Sequence, residues 1–202
     1  MKITLLTAAT AEYKPLADLV LPNKKEYCSR YNVDLLVRTH TRYLMDLTKA
    51  ERTSMTIEAL SGCDWLWFMG MDILITNMTV DVRTMIVSFG DNVIAIGHDA
   101  NGINNDSVFF KNDPRTFAFL ERTKELQVKR EVDQDQNAMK RAFQDMPELP
   151  VSHVSHKLFN AYPMAPMHPG AWAKGDFVAH FPSMSLGERV THMAPYLLQV
   201  VR

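Results

Sequence analysis

Residues 64–75 read DWLWFMGMDILI, an apolar run that after its first residue is broken only by Gly70 and Asp72. The five consecutive apolar residues Trp65–Met69 are typical of a strand that is buried on both faces of a sheet. A strand that ends in an acidic residue delivers a carboxylate to the rim of the sheet, where it can hold a divalent cation that bridges phosphates. Asp72 is placed for that role, and the alternative is a strand end that is capped by a solvated aspartate.

Shorter strands and helices alternate on both sides of this run. The apolar pattern predicts further strands over Lys2–Ala9, Val33–Arg38, Val93–Ile96, Val108–Phe110 and Phe177–Phe181. It predicts helices over Glu12–Tyr31, Lys49–Leu60, Pro114 to about Leu126, Gln134–Phe143, and a terminal helix from Leu186. This alternation indicates an α/β domain with a mainly parallel sheet, in which ligands bind at the carboxyl ends of the strands. Because no clear linker is visible, we expect a single domain over residues 1–202.

Prolines and capping residues set the expected limits of these elements. Pro22 is expected to kink or split the first helix, because proline lacks the N–H that a helix interior needs. Thr48 is expected to cap the second helix, which Gly62 would end. After Pro147 and Pro150 the chain is expected to turn irregular.

Composition excludes several classes of protein. Lys and Arg number 22 against 23 Asp and Glu, a formal net charge of −1, so bulk charge does not favour nucleic-acid binding. The sequence has no apolar run long enough for a membrane helix, and residues 1–7 read as a first strand rather than a signal peptide. Two cysteines make no disulfide framework, which favours a reducing, cytoplasmic location. The glycine patterns of dinucleotide, P-loop and hydrolase sites are missing.

Three further segments carry side chains that could bind a ligand. Residues 99–107, DANGINNDS, have the composition of a polar binding loop for a hydroxyl-rich ligand, and the alternative is an ordinary Asn/Gly turn. Residues 133–137, DQDQN, precede an apolar helical run, where acidic residues also suit a helix N-terminus. His180 lies near the end of an apolar strand and is either a metal ligand or a satisfied core histidine.

Five segments match, in chain order, the motifs of one enzyme family. Residues 64–77 are similar to W-I-W-W-L-D-S-D-A-L-I-x-N, and residues 103–112 to L-N-x-G-x-F-L-I-R-N. Asp133-Gln134 corresponds to a D-Q pair before a helix, residues 158–163 to F-N-S-Y-P, and residues 174–181 to K-G-D-F-V-V-H-F. Together they resemble the galactosyl/xylosyltransferase family, glycosyltransferase family 34, and the likeness covers nearly the whole chain.

The resemblance implies a GT-A fold, which is a Rossmann-like, mainly parallel sheet flanked by helices. It implies retaining transfer of a sugar from a nucleotide diphosphate sugar, usually UDP-linked, to a hydroxyl of a glycan or glycoprotein. Mn²⁺ or Mg²⁺ would neutralise the diphosphate. Members in secretory pathways carry a membrane anchor that this sequence lacks, which fits a bacterial or viral enzyme of the cytosol, or a catalytic domain from a longer, multidomain chain.

The family motifs also imply roles for individual residues. Asp72 matches the last aspartate of the family's D-x-D motif and would hold the cation together with His180. Lys49 would contact the diphosphate. The remaining contacts to the nucleotide sugar are expected from Thr7, Ala8, Ala9, Gly70, Met71 and Asn104. The sugar and acceptor pockets would be lined by Asp99, Asn104, Asp133 and Gln134, and an inverting enzyme would take its general base from Asp99, Asp106, Asp133 or Asp135.

Three positions depart from the family motifs. Gly70 stands in place of the first D-x-D aspartate, and Asp106 stands in place of a glycine. The family often has a phosphate-binding lysine shortly after the histidine, whereas this chain offers Arg189 further along. The missing carboxylate motivates the alternative function, a degenerate member of the fold that binds a nucleotide or glycan without catalysis.

Overall fold

The computed structural model describes residues 1–40, 45–99, 102–129, 135–163 and 171–202. Its strands are β1 (Ile3–Thr10), β2 (Asp34–His40), β3 (Trp65–Met69), β4 (Ile73–Ile75), β5 (Ile94–Asp99), β6 (Gly102–Lys111), β7 (Val151–Ser155) and β8 (Val178–His180). Its helices are α1 (Lys14–Tyr31), α2 (Met45–Leu60), α3 (Val82–Ser88), α4 (Pro114–Val128), α5 (Asp135–Asp145) and α6 (Leu186–Leu197). Within the described residues, no helix combines the length and the apolar character needed to span a bilayer.

Six strands form the main sheet in the order β2-β1-β3-β6-β5-β7. All neighbours are parallel except around β6, which is antiparallel to both β3 and β5. The other two strands, β4 and β8, form a small antiparallel sheet of their own. The predicted α/β class with a mainly parallel sheet flanked by helices is therefore confirmed. The expectation of a single domain stays a prediction.

The apolar run of β3 is explained by its place in the middle of the main sheet. All five residues are buried, and their side chains alternate between the two faces. Trp65, Trp67 and Met69 enter the core cluster on one face, whereas Leu66 and Phe68 enter the cluster on the other. Because both faces are covered, the strand has no position for a polar side chain.

Several boundaries differ from the sequence expectation. The helix α1 is not split at Pro22, because that residue is exposed and the backbone hydrogen bond that it cannot make is lost on the solvent side. The helix α2 begins at Met45, so Thr48 lies inside it and is not its N-cap. The run from Asp64 to Ile75 is two strands, since residues 70–72 turn between β3 and β4.

The polar and proline-rich segments hold more regular structure than expected. Residues 102–107 belong to β6 and are neither a loop nor a simple turn, while residues 100 and 101 lie outside the described residues. After Pro150 the chain forms β7, the edge strand that pairs with β5, where an irregular segment was expected. The residues of β7 are only partly buried, as the edge position of the strand allows. The alternation of apolar and polar residues that would predict a strand is therefore weak.

The predicted last strand is present as β8, but in the small sheet. Its pairing with β4 sets His180 opposite Ile73, the residue that follows Asp72. Two residues that are 108 positions apart in the sequence are thereby brought to the same turn.

Candidate active site

The centre of the site is the turn of residues 70–72, at the carboxyl end of β3. The Gly70 N–H donates to the Asp106 carbonyl at 2.7 Å, which ties the turn to β6. The Phe181 N–H donates to the Asp72 carbonyl at 3.0 Å, which ties it to the end of β8. Three parts of the chain thus meet where an α/β sheet is expected to bind ligands.

His180, the last residue of β8, is the most unusual residue beside this turn. It is fully buried, and neither of its ring nitrogens has a hydrogen-bond partner among the residues that the structure describes. Its Nε2 lies 3.7 Å from Asp72 Oδ1 and 3.6 Å from Asp106 Oδ2. An unpartnered buried imidazole is costly unless something else satisfies it. A small cation held on Nε2 beside Asp72 would remove this cost.

Asp72 is held in its ionised form. Burial alone would raise the pKa of Asp72, but His180 and Arg189 outweigh burial and hold that pKa below its usual range. The Arg189 guanidinium comes from α6, and its Nη2 lies 3.1 Å from Asp72 Oδ2. An ionised carboxylate is available as a ligand at neutral pH, although an arginine already accompanies it.

Asp106 has a similar cationic neighbour. The Nη1 of Arg52, from α2, lies 3.3 Å from Asp106 Oδ1. The same guanidinium stacks over the Phe68 ring, 4.7 Å from its centroid. In the part of the chain that the structure describes, no group of three or more His, Cys, Asp or Glu side chains stands ready to hold a metal ion. A cation between Asp72 and His180 would need ligands besides these two side chains.

A buried lysine lies behind the turn. Lys24, from α1, donates from Nζ to the Gly70 carbonyl at 2.6 Å and to Thr7 Oγ1 at 3.2 Å. Burial lowers the pKa of the Lys24 ammonium to about 7, against the opposing attraction of Asp72. Sequence reasoning missed this residue. Its signal was the spacing Leu16, Val20, Lys24, which places a charge on the apolar face of a helix.

A chain of hydrogen bonds joins the polar residues of β5 and β6. The Tyr162 hydroxyl donates to Asp99 Oδ2 at 2.6 Å and accepts from Asn104 Nδ2 at 2.9 Å, and Asn104 Oδ1 accepts from the Asp106 N–H at 3.0 Å. Burial, followed by the Asp99 carboxylate, raises the pKa of Tyr162. The Tyr162 ring centroid lies 5.5 Å from that of His180. Asp99, Asn104 and Asp106 are therefore brought to the same site as Asp72.

The other predicted residues are placed as follows. Thr7 is buried against Lys24, while Ala8 and Ala9 are half-buried at the carboxyl end of β1. The Met71 side chain is buried in a third core cluster with Leu16 and Phe181, so only its backbone is left to contact a ligand. Asp133 and Gln134 lie outside the described residues, as does the side chain of Lys49, although its backbone belongs to α2.

Comparison with solved structures places this architecture among glycosyltransferases. The chain is similar to a glycosyltransferase involved in the glycosylation of the major capsid of PBCV-1, with 16% identity, a TM-score of 0.74, and 96% of this chain and 98% of that chain covered. It is similar to the galactosyltransferase LgtC in complex with donor and acceptor sugar analogues, with 13% identity, a TM-score of 0.63, and 95% of each chain covered. It is also similar to GlyE of Streptococcus pneumoniae TIGR4, with 11% identity, a TM-score of 0.61, and 100% of this chain and 65% of that chain covered. At these identities the likeness shows the fold alone.

Sequence comparison gives the family. No curated protein sequence matches the chain. Residues 84–187, more than half of the chain, match the galactosyl transferase GMA12/MNN10 family. With the predicted family and fold both confirmed, the chain belongs to the galactosyl transferase GMA12/MNN10 family and is a glycosyltransferase of the GT-A fold.

Proposed function

We propose that the protein transfers a sugar from a UDP-linked sugar to a hydroxyl of a glycan or glycoprotein, with retention of configuration. We further propose that Asp72 and His180 hold Mn²⁺, or Mg²⁺, on the diphosphate. The observation that supports the metal is His180, whose buried ring nitrogens find no hydrogen-bond partner in the described part of the chain, while two carboxylate oxygens lie within 3.7 Å of Nε2. A bound cation would neutralise the negative charge that develops on the departing nucleotide diphosphate.

The residues around the turn would position the sugar donor. Lys24 fixes the turn through the Gly70 carbonyl, so that the ionised Asp72 faces the diphosphate. The half-buried end of β1, at Ala8 and Ala9, would take the nucleobase, and Lys49 would reach the diphosphate from α2. The turn that carries Asp72 is thus held in place by Lys24 before the substrate arrives.

The polar chain on β5 and β6 would recognise the transferred sugar. Asp99 and Asn104 are both held by the Tyr162 hydroxyl, so the directions of their side chains are fixed. Fixed polar groups of this kind suit a hydroxyl-rich ligand, because each buried hydroxyl needs a partner. Asp133 and Gln134 would complete the sugar and acceptor pockets.

One observation favours a second candidate function, binding of a nucleotide or glycan without catalysis. Gly70 removes one carboxylate from the turn, and each of the two nearby carboxylates already has an arginine beside it. A member of the fold that no longer uses a metal would show the same pairing of carboxylates with arginines. This candidate predicts UDP binding without transfer or hydrolysis of any UDP-sugar.

Calorimetric titration of UDP and GDP, with Mn²⁺ and with EDTA, tests the main proposal. We expect UDP to bind in Mn²⁺, and the variants Asp72→Asn and His180→Gln each to weaken that binding by about tenfold or more, because each loses a cation ligand. His192→Gln, an exposed histidine of α6, is the matched control and should bind as wild type. Unchanged UDP affinity in both site variants would overturn the metal assignment. Turnover of any sugar donor would exclude the non-catalytic candidate.

A further inference from the structure

We infer that Arg189 and a divalent cation compete for Asp72, and that Arg189 contacts the nucleotide diphosphate when no cation is bound. The inference rests on the proposed function, because it assigns a further contact to the same sugar-donor site. Arg189 lies outside the stretch that matches the family, which ends at residue 187.

The surroundings of Arg189 hold its guanidinium beside Asp72. Its Nε donates to the Phe181 carbonyl at 3.2 Å, and its Nη1 donates to the Tyr13 hydroxyl at 3.1 Å. Its Nη2 lies 3.1 Å from Asp72 Oδ2, and both side chains are largely buried, with 14% and 13% of their surface exposed. A guanidinium has five N–H groups, so donors remain for a phosphate oxygen next to Asp72.

The charge balance of the turn explains the competition. Arg189 and Arg52 together offset the two carboxylates of Asp72 and Asp106, so the cluster is compensated before any ion arrives. Arg189 pairs with Asp72 Oδ2, whereas His180 faces Asp72 Oδ1, so a divalent cation between Asp72 and His180 would share one carboxylate with the Arg189 guanidinium. Like charges that share a carboxylate repel, so each weakens the hold of the other on Asp72. The diphosphate, in contrast, brings negative charge and can accept hydrogen bonds from Arg189 directly.

The substitution Arg189→Gln separates the two effects, because they move in opposite directions. Without nucleotide, Mn²⁺ binding, followed by electron paramagnetic resonance of the free ion, should tighten severalfold in the variant, since Asp72 has lost its competing cation. In EDTA, UDP binding should weaken by about tenfold, since a charge-assisted contact to phosphate is lost. Arg189→Lys keeps the charge but not the planar fork, and should fall between wild type and Arg189→Gln in both measurements.

Arg122→Gln is the matched control. It removes an arginine of α4 that forms ion pairs with Glu125 of the same helix and with Asp145 of α5. It should leave both affinities at the wild-type value. Weaker binding of Mn²⁺ and UDP together in Arg189→Gln would show a merely structural role and overturn the inference. Unchanged UDP affinity in EDTA would also overturn it, while leaving the Mn²⁺-dependent site of the proposed function intact. Wild-type protein that binds no nucleotide under any condition would overturn both.

Discussion

At the scale of single residues, position 70 is crowded by carboxylates. A Cβ at Gly70 would lie 2.8 Å from Asp72 Oδ1 and 3.5 Å from Asp106 Cβ. Asp106 brings its own carboxylate to within 3.6 Å of His180 Nε2. The family motif that residues 64–77 resemble has an aspartate at this position, so this chain carries the second carboxylate on a neighbouring strand.

The substitution Gly70→Asp would add a third carboxylate beside Asp72 and Asp106. We expect its melting temperature in EDTA to fall below that of wild type, because Asp72 must move and like charges repel. Mn²⁺ should then raise the melting temperature of the variant by several degrees more than it raises that of wild type. Gly70→Ala adds the Cβ without the charge and serves as the control in the same thermal unfolding series. An equal Mn²⁺ response in all three proteins would contradict the prediction.

The buried Lys24 makes stability depend on pH. Its pKa is lowered from 10.5 to about 7 in the folded protein. Between these values the unfolded chain binds a proton that the folded chain does not, so the free energy of unfolding rises with pH. From pH 7 to pH 9 the gain is about 2 kcal/mol. Lys24→Met should lack this rise, which urea denaturation at pH 7, 8 and 9 measures.

The comparison between wild type and Lys24→Met isolates this effect from other titrating groups. Burial raises the pKa of Cys28 to about 12, and a raised thiol pKa lowers stability only as pH approaches and passes its ordinary value of 9.0. The Cys28 thiol is present in both proteins, and its effect is small at pH 7 and 8, where the Lys24 effect is already measured. Parallel pH profiles for the two proteins would refute the role of Lys24.

Some site residues could be predicted from the sequence and others could not. Asp72 and His180 could be predicted, because each lies at or just after the end of an apolar strand within a recognisable motif. The burial of Lys24 and the contact between Arg189 and Asp72 depend on how α1 and α6 pack, which no local sequence pattern predicts. Lys24 is the partial exception, since its place on an apolar helix face signals burial without showing the partner.

At the scale of elements, α6 positions Arg189. The helix begins with a capping box, in which Glu188 N–H donates to Ser185 Oγ at 3.4 Å and Ser185 N–H donates to Glu188 Oε2 at 2.8 Å. Arg189 follows directly in this first turn, so the cap and the ion pair with Asp72 depend on the same local geometry.

Ser185→Ala should lower the free energy of unfolding by about 1 kcal/mol, because the helix loses its side-chain cap. It should also weaken UDP binding in EDTA, in the direction of Arg189→Gln. Ser29→Ala, at an exposed position within α1, is the control and should not lower stability, since alanine is the better helix former. Chemical denaturation and calorimetry check both parts. A stable Ser185→Ala variant would mean that the cap contributes nothing to α6.

The two elements that the sequence did not reveal, α3 and β7, have weak sequence signals for different physical reasons. In α3, four of the seven residues are the β-branched Val82, Thr84, Ile86 and Val87, which are poor signals for a helix. In β7, VSHVS is only partly buried because the strand lies at the sheet edge. By contrast, β3 and α4 were predictable, the first from its apolar run and the second from the Asp113 cap with Pro114 in the first turn.

At the scale of the whole molecule, one core joins the two sheets. The Trp67 ring of β3 stacks on Phe109 of β6, with centroids 5.1 Å apart, and on Phe177, which precedes β8, at 5.4 Å. The same buried cluster includes Ile73 of β4 and Val178 of β8. One face of the small sheet therefore shares its core with the main sheet, while Leu74 and Ala179 on its other face pack in the third cluster with α1 and α6.

We accordingly expect a single cooperative unfolding transition. Trp172→Phe leaves the two tryptophans of β3 as the fluorescent reporters. Their fluorescence midpoint in urea should coincide with the midpoint of far-ultraviolet circular dichroism, which reports all helices and strands. Two separated midpoints, or a stable fragment after brief proteolysis, would show that the sheets unfold independently.

The site collects its residues from distant parts of the chain, from Thr7 and Lys24 through Asp72 and Asp106 to His180 and Arg189. During synthesis on the ribosome, β1 and α1 emerge first, and β8 and α6 emerge much later. A nascent chain that has already made β3 therefore still lacks the imidazole and the guanidinium that face Asp72. A chain whose synthesis stops before residue 180 would therefore lack two of the side chains of the site that we propose for the sugar donor.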